Sequence, residues 1–414
     1  MQAGYLNQMN KRTFVNALLV ILSTVITIGL LEFVIGRFFI TRTPIKFHFA
    51  LPDGLAVLAQ SSKSGRIPQN YLAIAGDSYA QGKGDWLLAT DPASNGPYHS
   101  AHLLHQLTQK DVISFGRGGA SNMKGWSREP WAKFSFISAA IDSDIKPPEL
   151  ILAYFHAGND LTDNVVQLRQ QFLPEIGEQG LRNNAAWDRF FNEQIANSQM
   201  GPFRGINTTL GWLPRAVSKI IRNELKGKKA RGELGDIQLM QAGSINLARV
   251  KGEATPLPDR LQSPSMELDE AESELGFLAA AQSLRDLQKR FKQSRIVLVY
   301  VPSVLECYEI MSEQVSVQDR FAATEGRKPG SIFPTSGLNQ RSDEVATRIQ
   351  SIAQKLAIPF IDARPQIRSA ARQEIIHGPR DWLHFNKRGY EVLASAIACG
   401  VADLKIWPAS SCQP

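Results

Sequence analysis

The chain predicts an α/β fold with a central parallel sheet, and three observations carry that prediction. Short apolar runs of strand character recur at residues 71–75, 111–115, 150–155, 295–302 and 358–362, the fourth reading RIVLVYVP. Helix-like segments at residues 98–110, 268–292, 341–356 and 390–404 alternate with them, and such alternation implies parallel pairing through right-handed crossovers. The first three runs each open into a glycine-bearing turn, at Gly76-Asp77-Ser78, Gly118-Gly119 and Gly158-Asn159-Asp160. Carboxyl ends of parallel strands are where open α/β sheets bind ligands.

With 414 residues and 43% hydrophobic content, the chain has enough apolar surface for a sizeable core of two or three domain-sized units. The formal net charge of +7 is dispersed rather than gathered on one helix, which speaks against nucleic acid as a partner. Cys307, Cys399 and Cys412 have no ligand spacing, so neither a metal site nor a metal cofactor is expected from them. A disulfide would close most easily between Cys399 and Cys412.

Taken in order, residues 14–40 are strongly apolar and residues 14–31 carry no charge, about the length that spans a bilayer as a helix. The run exceeds the usual signal-peptide core and lacks a clean small-x-small cleavage site, so an uncleaved anchor is expected over residues 1–42. Lys11 and Arg12 precede it while Arg37, Arg42 and Lys46 follow, and the positive-inside count does not settle orientation. Glu32 is read as an interfacial charge. Residues 43–70, with Pro, Gly and Ser but no periodicity, read as a linker. The folded domain is expected over residues 71–414.

Strand-like residues 71–75 deliver Ser78 into the crevice, although Gly-Asp-Ser is also ordinary turn chemistry. The following helix carries His99, His102 and His105. Steps of three fan these around the helix with no carboxylate beside them, which favours packing or solvated histidines over a metal site. Glycines at 118 and 119 allow the backbone to approach a ligand, and Asn159 offers a side-chain amide. Residues 161–264 read as a largely helical insertion, with a basic segment from Lys226 to Arg231 that reads first as a solvated face.

A serine hydroxyl is a weak nucleophile, so acyl transfer needs a base and a group that holds the base in the right tautomer. Asp381 and His384 lie three apart, just before the closing helix. That spacing lets the carboxylate reach the imidazole. Gly76-Asp77-Ser78-Tyr79-Ala80 lacks the second glycine of the G-x-S-x-G elbow, which sets the chain apart from α/β-hydrolases.

In content and order, the blocks at Ser78, Gly118-Gly119, Asn159 and Asp381-Trp382-Leu383-His384 resemble those of the SGNH (GDSL-type) hydrolase family over residues 71–404, the 161–264 insertion excepted. The resemblance implies a flavodoxin-like three-layer α/β/α fold and a metal-free, cofactor-free serine esterase. Ser78 would be its nucleophile, His384 its base and Asp381 the orienter of the base. The N–H groups of Ser78 and Gly119 and the side chain of Asn159 would form the oxyanion hole, with Gly118 in place of Gly119 if the block is shifted by one. Ser114-Phe115 stand where the family often has Asn, which loosens the glycine assignment. The anchor, together with the VYVPS strand end, is similar to exported SGNH proteins of bacterial surface polysaccharides. That similarity implies a single-pass inner-membrane protein, a domain outside the cytoplasm, and an acylated, chiefly acetylated, carbohydrate as substrate. An acyltransferase, a lipase or lysophospholipase, and a catalytically silent envelope-binding module are the alternatives, and Asp-x-x-His after the serine tilts toward hydrolysis.

Overall fold

Five short strands, four of them buried almost throughout, set the architecture. The computed structural model describes residues 2–43, 47, 50–51, 53–65, 67–84, 100–140, 145–198, 209–225, 244–319 and 330–406. The strands are β1 (Leu72–Ala75), β2 (Val112–Ser114), β3 (Leu150–His156), β4 (Arg295–Val301) and β5 (Phe360–Asp362). All neighbours pair in parallel, in the order β2-β1-β3-β4-β5. This is the flavodoxin-like doubly wound order, whose direction reverses between β1 and β3.

Side chains alternate across a strand, and here each face meets its own helical layer. Leu72, Ile74, Leu152, Tyr154, Val297 and Val299 form one core. Against it pack Ala101 and Leu104 of helix α4 (Ser100–Thr108), Ile367 of α11 (Arg364–Ala371), and Leu393 and Ile397 of α12 (Lys387–Asp403). Ala73, Ala75, Ile151, Ala153, Phe155 and Leu298 build the other core. It includes Leu55 and Leu58 of α2 (Asp53–Leu58), Phe136 of α5 (Glu129–Ala140), Leu284 of α9 (Glu270–Arg290) and Val345 of α10 (Thr335–Lys355). The result is a three-layer α/β/α sandwich.

The stretch expected as a linker is part of this domain. Leu55, Val57, Leu58 and Ala59 are buried in the second core. Beyond them the backbone edge of β2 is covered: Gln60 Nε2 donates to the Ser114 carbonyl and Gln60 Oε1 accepts the Ser114 N–H, both at 2.8 Å. Val112 N–H donates to the Ser62 carbonyl at 2.8 Å. An edge strand with its polar groups satisfied in this way is closed to further pairing. Six helical residues are too few for a readable period, and the partners of Gln60 and Ser62 lie on a strand far along the chain, so only the tertiary fold reveals the segment.

The 161–264 insertion also needs correcting at both ends. Leu161 and Val165, on α6 (Asp160–Gln167), belong to the second core, so the first turns lie inside the basic fold. Past them, α7 (Asn184–Ala196) packs Trp187, Phe190 and Phe191 with Phe172 in a separate aromatic cluster, Phe172 stacking on Trp187 at 4.1 Å. Helix α8 (Thr209–Leu225) follows, and the basic segment from Lys226 to Arg231 lies outside the described residues. The insertion ends in strands: Leu247–Val250 and Glu253–Pro256 form an antiparallel hairpin. Lys251 and Gly252 turn it with φ of +53° and +82°, the left-handed pair a two-residue hairpin needs.

Two helices start earlier than their sequence patterns. Helix α10 begins at Thr335 because Gly337 and Asn339 lower its propensity without breaking it. Helix α12 begins at Lys387 because the Asn386 side chain accepts the Gly389 N–H. At the amino terminus α1 (Gln2–Val34) contains Thr13–Val34, a span of mean hydropathy 2.4 with none of its window buried, long and apolar enough to cross a membrane. Cys399 is disulfide-bonded, Cys412 lies outside the described residues, and Cys307 is free and buried.

If residues 43–70 were a linker, Gln60→Ala would be silent. Because the side chain satisfies two β2 backbone groups, we expect it to cost about 1–3 kcal/mol of unfolding free energy in denaturant titration; an unchanged midpoint would restore the linker reading.

Candidate active site

The turn after β1 is built around Gly76 and Asp77. Gly76 has φ +148°, a conformation that side-chain-bearing residues rarely adopt. Asp77 then caps the short helix α3 (Ser78–Gln81), its Oδ1 accepting the Tyr79 N–H at 2.9 Å. Ser78 thus stands on the first turn of a helix, over the carboxyl end of β1.

The loop before α12 arrives from the other end of the chain. His384 Nε2 lies 2.8 Å from Ser78 Oγ, and His384 Nδ1 lies 2.6 Å from Asp381 Oδ2. Asp381 Oδ1 accepts the Leu383 N–H at 2.9 Å, so both carboxylate oxygens are engaged and the ring cannot swing freely. Tyr79 OH donates to the Leu383 carbonyl at 2.9 Å, and Tyr390 OH donates to the Lys83 carbonyl at 2.5 Å. Gly84, at φ +143°, lets the two loops touch: a Cβ there would stand 2.2 Å from the Phe385 carbonyl oxygen. Ser78 is 8% exposed and the His384 side chain 15%, so the pair is sheltered but reachable. A carboxylate on Nδ1 selects the tautomer whose Nε2 can accept the serine proton.

The other expected residues are placed less directly. Asn159 follows β3, next to β1 at the sheet's reversal point. Its Oδ1 lies 2.6 Å from His156 Nδ1 and its Nδ2 donates to Asp163 Oδ2 at 3.1 Å. One of the two amide hydrogens is thereby committed, and the amide orientation is held from both sides. Gly119 is exposed with φ +68°. Its neighbour Gly118 donates its N–H to Gln81 Oε1 at 2.8 Å, which leaves the alternative glycine with an occupied donor. Of the three helix histidines, His99 lies outside the described residues. His105 Nδ1 is 2.5 Å from the Lys110 carbonyl, and His102 Nε2 is 3.2 Å from Gln106. Among the described residues no group of three metal-ligating side chains occurs.

Sequence reasoning missed the charges beneath the site. His156 is buried with Nδ1 3.5 Å from Asp77 Oδ2, and its ring packs on Tyr79 at 4.1 Å between centroids. Burial alone would raise the Asp77 carboxyl, but the His156 hydrogen bond and charge, with the Tyr79 N–H, hold it below the usual carboxylate range. Asp160 goes the other way: burial first, then the Asp77 charge, push it well above that range. Its Oδ2 accepts the His156 N–H at 2.9 Å and an Asn122 amide hydrogen at 2.8 Å. The available hint was His156 three residues before Asn159, the same interval as Asp381 and His384, but at the end of an apolar strand it reads as a packing residue.

Comparisons with known proteins add little. No family model matches the chain, and no curated protein does. Among solved structures, an acetyl xylan esterase from the rumen bacterium Butyrivibrio proteoclasticus is 10% identical with a TM-score of 0.36, over 83% of this chain and 65% of that one. The chain thus spans less than two thirds of that relative's length. An extracellular lipase from Streptomyces rimosus is 11% identical with a TM-score of 0.35, over 80% and 98% of the two chains. A variant of an acetyl-xylooligosaccharide esterase from Geobacillus stearmophilus is 9% identical with a TM-score of 0.31, over 81% and 95%. Likenesses at this level are too weak to define a family.

The raised Asp160 carboxyl has a consequence for stability. Above its ordinary value of 3.8 the unfolded chain releases this proton while the folded protein keeps it. Stability from this group is therefore present at low pH and declines as pH rises toward the folded value. Asp160→Asn should remove that decline, so its unfolding free energy should gain on the wild type as pH rises above the ordinary carboxylate value of 3.8. Parallel curves for the two proteins would mean that Asp160 titrates normally.

Proposed function

We propose that the protein is a serine esterase of the SGNH type that removes acyl groups, chiefly acetyl, from a carbohydrate of the cell envelope. The observation that carries this reading is the chain of hydrogen bonds from Ser78 Oγ through His384 to Asp381. In the first half-reaction His384 Nε2 takes the hydroxyl proton as Ser78 Oγ bonds to the ester carbonyl carbon. The oxyanion that forms is held by the N–H groups of Ser78 and Gly119 and by the second amide hydrogen of Asn159. Collapse breaks the ester C–O bond, and His384 returns the proton to the departing sugar oxygen. Water then repeats the sequence on the acyl-serine, giving the carboxylic acid and restoring Ser78.

Support for the carbohydrate and acetyl parts comes from the resemblance of residues 71–404 to envelope SGNH proteins. Helix α1, long and apolar enough to cross a membrane, supports a single-pass anchor, and the resemblance to exported SGNH proteins supports an inner-membrane location with the catalytic domain on the side away from the cytoplasm.

A chromogenic acetyl ester tests the chemistry. Ser78→Ala should lower kcat on the order of 10⁶-fold while leaving the fold intact. His384→Ala should remove most of the activity, because it deletes the base that stands 2.8 Å from Ser78 Oγ to take its proton. A serine-directed phosphonate should leave its adduct on Ser78 by mass spectrometry. An adduct on another serine, or a folded Ser78→Ala enzyme of undiminished rate, would sink the proposal.

The oxyanion assignment has its own test in Asn159→Ala, which should reduce kcat by roughly 10² to 10³ with little change in KM. Wild-type turnover from a folded variant would take Asn159 out of the site.

A further inference from the structure

We infer that helix α8 is an in-plane membrane-binding helix, one that seats the domain on the anionic phospholipid surface of the bilayer that α1 enters. The inference rests on the anchor reading of α1 given above. At 100° per residue, Leu213, Val217 and Ile221 form one stripe of α8, and they are 43%, 44% and 51% exposed. Arg215, Lys219 and Arg222 occupy the opposite arc and are exposed too. Between the two arcs Ala216 is buried, marking the side turned toward the protein. An apolar stripe opposite a cationic face is the pattern of a helix lying in the membrane interface. Those three cations within 17 residues make α8 too short and too charged to cross the bilayer.

Position identifies the occupant of the stripe. The Leu210 N–H, in the first turn of α8, donates to Glu32 Oε2 at 2.9 Å. Helix α8 also packs against the end of α1 and the following turn, Ile35–Phe39. Phe33, Phe38 and Phe39, around that junction, are 60%, 49% and 65% exposed. The stripe therefore continues the apolar surface of the anchor at the level where α1 leaves the hydrocarbon. Lipid acyl chains fit the stripe, and lipid phosphates fit the cations above it. Helix α8 would run about 25 Å along the surface, at 1.5 Å per residue.

The test places one spin label at a time on the full chain, reconstituted in phosphatidylglycerol and phosphatidylethanolamine bilayers. Labels go on L213C, V217C, I221C, R215C and R222C, with V20C reporting on the anchor. Cys307 is buried and stays unlabelled. Collisions with oxygen should rise, and those with a water-soluble nickel chelate fall several-fold, at positions 213, 217 and 221 relative to 215 and 222. Equal nickel access on both arcs, with the Val20 position protected, would overturn the inference and leave the anchor reading standing. Protection accompanied by spin–spin broadening that vanishes on dilution in lipid would also overturn it, assigning the stripe to a second copy of the chain. A nickel-accessible Val20 position would overturn the anchor reading and this inference together.

Discussion

The hydrogen bond between Ser78 and His384 joins residues 306 apart in sequence, and the architecture of the site exists to keep it short. Ser78 is delivered by the first strand of the sheet, while His384 comes from the loop before the last helix. Three kinds of contact hold those loops together. Gly84 removes the side chain that would strike the Phe385 carbonyl, Tyr79 binds the loop carbonyl at Leu383, and Tyr390 reaches back to Lys83. Burial, reinforced by Tyr390 and the nearby acids, pushes the Tyr79 phenol well above its ordinary range. It stays neutral and keeps donating its proton to the loop. Losing any one of these contacts would cost orientation at the reacting pair, where small misplacements are expensive.

The sheet supplies the second constraint. With β1 and β3 adjacent and their following chains leading to helices in different layers, a crevice opens at the reversal point. Ser78 and Asn159 stand on its two sides. Under the crevice, Asp77, His156 and Asp160 form a buried group with opposed tendencies, one carboxyl held below the usual range by a histidine and the other pushed above it by burial and then by the Asp77 charge. A buried charge survives only when paired and hydrogen-bonded, and here the pairing also fixes the Asn159 amide through His156. The stability of the turn and the placement of the site residue rest on the same side chains.

Away from the crevice, the chain between β3 and β4 is used differently along its length. Its first turns fill the core beneath the sheet, its aromatic helix α7 closes a separate cluster against α9, and α8 returns to the anchor through Glu32. The segment thus links the core beneath the sheet with the end of α1, where the Leu210 N–H donates to the Glu32 carboxylate.

Much of this was written locally. Continuous apolar runs determined the five parallel strands, because double burial demands unbroken hydrophobicity, and glycine turns after the first three marked the crevice, where a ligand demands small residues at the strand ends. The Asp381-Trp382-Leu383-His384 interval likewise determined a carboxylate within reach of an imidazole. The apolar run after Phe14 determined a helix able to cross a bilayer. What the tertiary structure alone decided were the pairings whose partners lie far apart in sequence: Gln60 on the edge of β2, Asp160 beside Asp77, Gly118 spent on Gln81, and α8 beside Glu32. None of these leaves a local period or a composition shift. Each depends on a side chain meeting a group from a distant part of the chain, and that approach is set by the packing of whole layers.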